Sequence, residues 1–495
     1  MIFRLLWTIG LAVIVSALSG QYTRGVLSEE DKEYSDLLLR TPLVTRSYTV
    51  HPPKVSLRKY APLPGSQGSY GNCTGWATAY CARTILYAKG ENLTDRKTIT
   101  KNAYSPGFTF LQGGGKGAKC SGAFTTGVVR SLTIRGAVRN RDVASQKVAM
   151  ECPQFPLPIG LLNQAEDNKI PPPLTLWSPG EEDPYIKISR TKLAITAGHP
   201  VVISMVVPKS FEGEDTGGSV GKDGKWEPET KFPTDYDKRV NCHAMTVIGF
   251  DDDRFGGSFE VQNSWGAEWG DEGYGWVAYE DFANFTYQAF EVFLSPAKER
   301  NWKLGKQELV GKLRLKEFGG KDDFPVTLSD RTRNWTVGSN NGECTYKVAE
   351  KLPLGIRMQI FIESEQPAYV YLLGTGSENP KVDMLFPRPG YSAALNYNDY
   401  KVALPGENEF LTDNRTGTNN LIVLYSAEEL KINEIISNLN EDTSRPISER
   451  LDANIRRLLI DSENVQFSKD EIAFKAKITD EKKAFALILQ SEHGE

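Results

Sequence analysis

Apolar positions along the chain fall into stretches of different period, and each period predicts an element. An unbroken apolar run, "LLWTIGLAVIVSAL", follows the basic start "MIFR" and ends in the small-residue exit "ALSG". From Cys73 to Lys89 the small and large apolar residues recur at helical spacing, with Asn72 placed to cap the start and Gly90 to stop the end. "FTTGVVRSLTIRG" (124–136) and "SRTKLAITAG" (189–198) predict two more helices, and "PVVISMVV" after them predicts a buried strand. Residues 209–240 are rich in Gly, Asp, Lys and Pro and predict a surface loop. "VNCHAMTVIGF" (240–250) and "GSFEVQNSW" (257–265) then predict a hairpin closed by the polar turn "DDDRFG".

Beyond residues 301–302 the pattern changes. "ELVGKLRLKEF", "RMQIFIE", "AYVYLLG", "LIVLYS" and "KAFALILQ" read as strands, whereas "SAEELKINEIISNLN" and "RPISERLDANIRRLLID" read as helices. The chain is accordingly divided into a signal peptide (1–20), an N-terminal arm containing the "HPPK" proline pair (21–60), a first domain (61–300) and a β-rich C-terminal region with helices (301–495). The first domain is expected to be α+β: a helical lobe headed by Cys73, facing a β lobe.

Composition removes several function classes. A net charge of −5 without a Lys/Arg cluster gives no footprint for nucleic acid. The leading apolar run is short for a spanning helix, which needs about 20 residues; it has the layout of a secretory signal. The expectation is an exported chain, periplasmic, cell-surface or extracellular, whose mature form is not stably inserted in a membrane. Export permits disulfides among the six cysteines. Cys73 and Cys81 lie on one predicted helix, too far apart to bridge. Cys242 lies in a strand and Cys344 in another segment, so Cys120 and Cys152 are the expected pair.

The chain has four histidines. His493 is almost at the terminus, His51 precedes two prolines, and His199 sits in a turn where a partly exposed, inert ring is expected. His243, inside an apolar strand, is by itself best read as a core residue. Folding of the hairpin about residue 253 changes this, because His243 then lies opposite Asn263, close enough to share a hydrogen bond. A cysteine at the first turn of a helix meets unsatisfied N–H groups and the positive end of the dipole, which favour thiolate. Cys73, His243 and Asn263 therefore make a candidate nucleophile, base and orienting residue. Gln67 can supply an amide donor beside the backbone N–H of Cys73 to a developing oxyanion.

These segments resemble the papain-like cysteine peptidases of bacterial type. "QGSYGNCTGWA" is similar to the family's nucleophile segment, "HAMTVIGF" to its base strand and "NSWGAEWGDEGYGW" (263–276) to its asparagine segment. The resemblance covers residues 60–295. It implies a two-lobed fold, with Cys73 as nucleophile, His243 as acid/base, Asn263 as its orienter and Gln67 as oxyanion donor. It also implies that Trp265 shields the His–Asn contact and that Gly122, in "CSGA", binds substrate backbone. Protein or peptide is the implied substrate, and no cofactor or metal is called for. Cys73 and His243 are 170 residues apart, against roughly 130–150 in papain and the cathepsins; the 209–240 insertion accounts for the excess. Tyr70, Thr74 and Cys242 depart from the family's usual residues. Residues 21–72 leave no room for a long inhibitory pro-segment. Residues 340–430 are similar to a β-rich domain of unknown function appended to bacterial peptidase-like proteins. Hydrolysis through a thioester is the expected reaction. Transfer to an amine acceptor and a binding module without catalysis are the alternatives.

"GGSVG" (217–221) matches a serine-hydrolase pattern but lies in a polar loop instead of a strand-to-helix elbow. "DDDRFGG" has the early acids of a calcium loop without its closing Glu.

Overall fold

Helix formation at Cys73 sets the frame of the first domain. The computed structural model describes residues 24–27, 37–41, 52–115, 120–152, 154, 156–178, 180–212, 219–234, 241–295, 308–328, 343–396, 400–406, 409–468, 471–479 and 481–494. The expected signal peptide, His51 and part of the arm lie outside these residues. The helix runs as α-helix Cys73–Gly75, π-helix Trp76–Arg83 and α-helix Thr84–Gly90. Asn72 precedes it but makes no side-chain cap; the buried amide instead turns toward Ser145 Oγ at 3.5 Å. Two hydroxyls take carbonyls of the helix ladder, Thr246 Oγ1 on Ala77 O (2.9 Å) and Thr84 Oγ1 on Ala79 O (3.2 Å), and the wide π turns lie at that place. Small residues let the neighbours close in: a Cβ on Gly75 would sit 2.2 Å from Pro106 O. Further helices at Pro106–Gln112, Thr125–Ile134 and Ser145–Glu151 complete this lobe.

The other lobe is an antiparallel sheet ordered Leu174–Thr175, Thr286–Glu291, Val201–Val206, Cys242–Asp251, Ser258–Gln262, Tyr274–Ala278, with Lys54–Ser56 added along Cys242–Asp251. Val201–Val206 is buried throughout, which is why its apolar run does not alternate. The hairpin forms around residues 252–257, but its register is shifted by an irregularity between Val247 and Gly249. Thr246 pairs with Gln262, so Asn263 continues past the ladder level with Met245. His243 is its diagonal neighbour on the same face, not its direct partner.

Residues 308–494 build two further sheets. One is ordered Tyr400–Leu404, Arg357–Ser364, Glu308–Glu317, Ile472–Lys477, Val465–Phe467, with Leu411–Thr412 beside Arg357–Ser364. The other is ordered Val326–Leu328, Glu343–Val348, Ala484–His493, Gly417–Ser426, Ala368–Gly376, Asp383–Phe386. Alternate residues of the second sheet point two ways. Val370, Leu372, Val423 and Leu487 pack toward the first sheet, whereas Tyr369, Tyr371, Leu424 and Ile488 pack with Ile435, Leu439, Leu451 and Ile455 of the helices Ile432–Leu439 and Ile447–Ile455. Covering both faces explains the continuous apolar stretch "AYVYLLG".

The arm, expected as a connector, is structural. Leu39 bridges in parallel to Thr175 of the first domain and to Tyr391 of the C-terminal part. Arg40, almost fully buried, pairs with Glu291 Oε2 at 2.8 Å and reaches Asn396 O at 3.4 Å. His199 is likewise buried, not partly exposed as expected, and its Nδ1 lies 2.6 Å from Glu291 Oε1.

Candidate active site

Cys73 enters the site from the helix start and His243 from the strand Cys242–Asp251 that packs against it. The thiol is fully buried, and the backbone amides of Ala244, Gly25, Thr74 and Cys73 face it. Ala244 is the residue after His243, so strand and helix meet at Cys73. His243 is also fully buried. Its Nε2 lies 2.8 Å from Asn263 Oδ1; because the amide oxygen only accepts, Nε2 carries the proton and Nδ1 is left with its lone pair. Nδ1 is buried without a hydrogen-bond partner among the described residues, the state a base needs before it takes a proton.

Asn263 is held in turn. Its Oδ1 also accepts from the backbone N–H of Ser264 at 2.7 Å. Ser264 Oγ donates to Gln67 Oε1 at 2.6 Å, and the Gln67 backbone N–H donates to Ser264 O at 2.8 Å. The two segments are thus stitched together, with Ser66 bridging to Trp265 as well. Gln67 Nε2 donates to Tyr70 O at 2.7 Å, which orients the amide within the "QGSYGNC" turn. Trp265 covers the imidazole, ring centroids 4.5 Å apart and planes inclined by 30°.

The insertion 209–240 is not only a surface loop. Phe211 and Trp226 are buried, and Phe211 stacks edge-on or tilted against Trp226, Trp265 and Trp269 with centroids 5.1, 6.0 and 5.1 Å away. It forms the outer wall of the Trp265 shield. The aromatic residues within that polar insertion were the available signal. Cys120 and Cys152 are joined by a disulfide with Cα atoms 5.4 Å apart; Cys73, Cys81 and Cys242 carry free thiols.

Gly122 faces the arm. Leu27 donates its N–H to Ala123 O (3.0 Å), Ala123 N–H donates to Gly25 O (2.9 Å), and a Cβ on Gly122 would meet Leu27 Cδ2 at 2.8 Å. Residues 24–27 therefore run through the cleft beside the thiol, and Arg24 is tied there to Glu212. Short as it is, the span before Cys73 is enough to cover the site. Burial is also the leading cause of two opposed shifts: the Cys73 thiol is pushed up to about 11 and the His243 ring down to about 3. With the arm in place both groups are neutral, and the thiolate expected at the helix start is not the favoured state.

Parts of the chain are similar to known proteins. Residues 224–292 match the model described as papain family cysteine protease, and residues 351–429 match one described as a domain of unknown function (DUF4384). An uncharacterized peptidase C1-like protein of Acanthamoeba polyphaga mimivirus is 34% identical over 88 residues, 18% of this chain and 25% of the relative. The chain thus spans about a quarter of the length of that curated relative. Among solved structures, xylellain, a cysteine protease from Xylella fastidiosa, is similar at 20% identity and a TM-score of 0.42, over 56% of this chain and 97% of that one. The bromelain protease from Ananas comosus, in complex with the E64 inhibitor, is similar at 18% identity and a TM-score of 0.35, over 49% and 99%.

Proposed function

Because the chain carries a papain family cysteine protease domain followed by a domain of unknown function, we propose that it is an exported cysteine endopeptidase in which Cys73, His243 and Asn263 perform acyl transfer from a peptide bond. The observation that carries this reading is the His243 Nε2–Asn263 Oδ1 contact of 2.8 Å with Nδ1 left unpartnered. It fixes the tautomer in which the imidazole can accept the thiol proton.

The steps balance without a cofactor. The Cys73 proton passes to His243 Nδ1, and the thiolate adds to the carbonyl carbon of the scissile bond. The oxyanion is met by the Cys73 backbone N–H and by Gln67 Nε2, which the Tyr70 contact holds within the same turn. Collapse breaks the C–N bond, and the imidazolium protonates the departing amine. Water, deprotonated by His243, then releases the acid from the thioester and restores the thiol. Each step needs the segment 24–27 to have left the cleft, which also rehydrates the pair and removes the desolvation that holds it neutral.

The test is chemical. An epoxide-type thiol trap, with the adduct mapped by peptide mass spectrometry, is expected to mark Cys73; an adduct on Cys81 or Cys242 instead would overturn the assignment. Cys73→Ala is expected to abolish cleavage of an unfolded protein while leaving thermal unfolding near that of the parent. Cross-linked products in place of cleaved ones would favour an amine acceptor over water, and a labelled thiol without turnover would favour a binding module.

A further inference from the structure

The insertion 209–240 brings a carboxylate to the cleft. Its first turn, the 3-10 helix Lys209–Glu212, is pinned by three hydrogen bonds. Phe211 N–H donates to Pro208 O at 3.0 Å, Trp269 Nε1 to Phe211 O at 2.8 Å, and Trp226 Nε1 to Ser210 Oγ at 3.2 Å. Lys209 is exposed, whereas the Glu212 side chain is 10% exposed. Glu212 directly follows Phe211, whose ring packs on the Trp265 that covers His243. The turn therefore holds this carboxylate beside the imidazole wall of the site.

Glu212 meets the arm there through Arg24. The pairing is made by Nη2 at the end of the stem, while Nε is buried without a hydrogen-bond partner among the described residues. A cation carried on a long stem meets this requirement, and Lys can supply one as well as Arg. Arg24 directly precedes Gly25, whose backbone amide faces the Cys73 thiol. On the other side of the thiol, Leu27 N–H donates to Ala123 O. The arm thus crosses Cys73 with Leu27 on the 120–123 side and Arg24 on the His243 side. Burial is the leading cause of the low His243 value, and the charge of Arg24 adds to it, as such proximity requires.

The His243 side is where the departing amine must lie, because the imidazolium protonates it. When the arm leaves, Arg24 is withdrawn from a carboxylate that is mostly out of water, and such a group gains most from a replacement cation. We infer that Glu212 is a specificity-determining residue, selecting polypeptides with Lys or Arg among the first two residues of the departing product. The inference rests on the peptidase reading. The carboxylate that holds the arm by its arginine then selects the peptide that takes the arm's place.

The test reads cleavage sites. The full chain carrying Gly25→Val, to displace the arm, is incubated with a mixture of unfolded proteins, and the new N-termini are sequenced by mass spectrometry. Lys and Arg are expected in their first two positions about tenfold more often than Gln and Met, after correction for abundance, the worth of a charged hydrogen bond. Glu212→Gln is expected to remove this enrichment, and Glu212→Lys to replace it by Asp and Glu. Arg24→Ala in place of Gly25→Val is expected to speed epoxide labelling of Cys73 and to show the same enrichment, which a carboxylate serving only to hold the arm would not. Cleavage without enrichment, or enrichment unchanged in both Glu212 variants, would overturn the assignment and leave the peptidase reading standing. No cleavage at any site would remove the peptidase reading and this inference with it.

Discussion

Val26 donates its backbone N–H to the carbonyl of Cys242, the residue before His243, at 3.4 Å. One hydrogen bond thus ties the N-terminal arm to the strand that carries His243, while Gly25 puts its own amide against the Cys73 thiol. The arm can follow this path because residue 25 has no side chain: a Cβ there would lie 1.9 Å from Gly71 O. Gly25→Val is therefore expected to lift residues 24–27 from the cleft. Alkylation of Cys73 by the epoxide, followed as adduct mass against time at fixed pH, is expected to accelerate at least several-fold. An unchanged rate would mean that the arm does not limit access.

Asn263→Ala removes the acceptor shared by His243 Nε2 and the Ser264 N–H. The imidazole then loses both its fixed tautomer and its orientation, at a cost of about 1–3 kcal/mol for each buried donor left unmet. Turnover of a peptide substrate is expected to fall about tenfold to a hundredfold in kcat, with KM little changed, because the contact acts on the base and not on the substrate. Steady-state kinetics on the two proteins decide it.

The buried pair gives stability a defined dependence on pH. His243 titrates near 3 when folded and near its ordinary 6.5 when unfolded. Between these values the unfolded chain binds the extra proton, so stability falls as pH falls from about 6.5 toward 3. Cys73 is the mirror case. Its value rises from 9.0 to about 11, so the unfolded thiol ionises first and stability falls as pH rises from about 9 toward 11. Opening of the arm rehydrates the ring and follows the acid limb with the same sign. Calorimetric unfolding should show the acid loss reduced in His243→Gln and the alkaline loss reduced in Cys73→Ser, each relative to the parent.

What the sequence made legible was placement carried by local pattern. Cys73 at a helix start and His243 and Asn263 on one hairpin follow from period and turn residues, which short-range physics dictates. The hairpin register followed less well, because the irregularity after Val247 slides the ladder and only the reach of the side chains restores the contact. Asn72 was read as a cap, yet its amide turns inward to Ser145, a partner 73 residues away. The arm was opaque for the same reason: "RGVL" and "LLLRT" acquire meaning only from Ala123, Thr175, Tyr391 and Glu291, all distant in sequence. Similarly, His493 reads as a terminal residue until the strand Ala484–His493 takes a central place in its sheet.

Phe211 shows how an insertion can be structural. Its ring is fully buried against three tryptophans, one of which covers His243. Phe211→Ala is expected to destabilise the first domain by about 3–5 kcal/mol, the range for a deleted buried phenyl ring. It should also admit water to the His243–Asn263 contact, so that the loss of turnover exceeds what unfolding explains. Denaturant titration and kinetics at low temperature separate the two effects.

Arg40 offers the sharpest test of how the halves are joined. Its guanidinium is 2% exposed and pairs with Glu291, which is wholly buried at the end of the first domain's strand Thr286–Glu291. It also reaches Asn396 O and, through Leu39, lies in a segment bridging to Thr175 and Tyr391. Arg40→Met keeps much of the volume but takes the cation from a carboxylate that has no access to water. Breaking one partner of such a pair costs about 3–5 kcal/mol, far more than the pair itself contributes. The expected result is a lower unfolding midpoint, with the first domain and the C-terminal sandwich melting apart in calorimetry. Glu291→Gln added to Arg40→Met removes the carboxylate charge that would otherwise be left beside His199 and should recover a large part of the loss. A double variant as unstable as the single one would show that the loss comes from packing and not from charge.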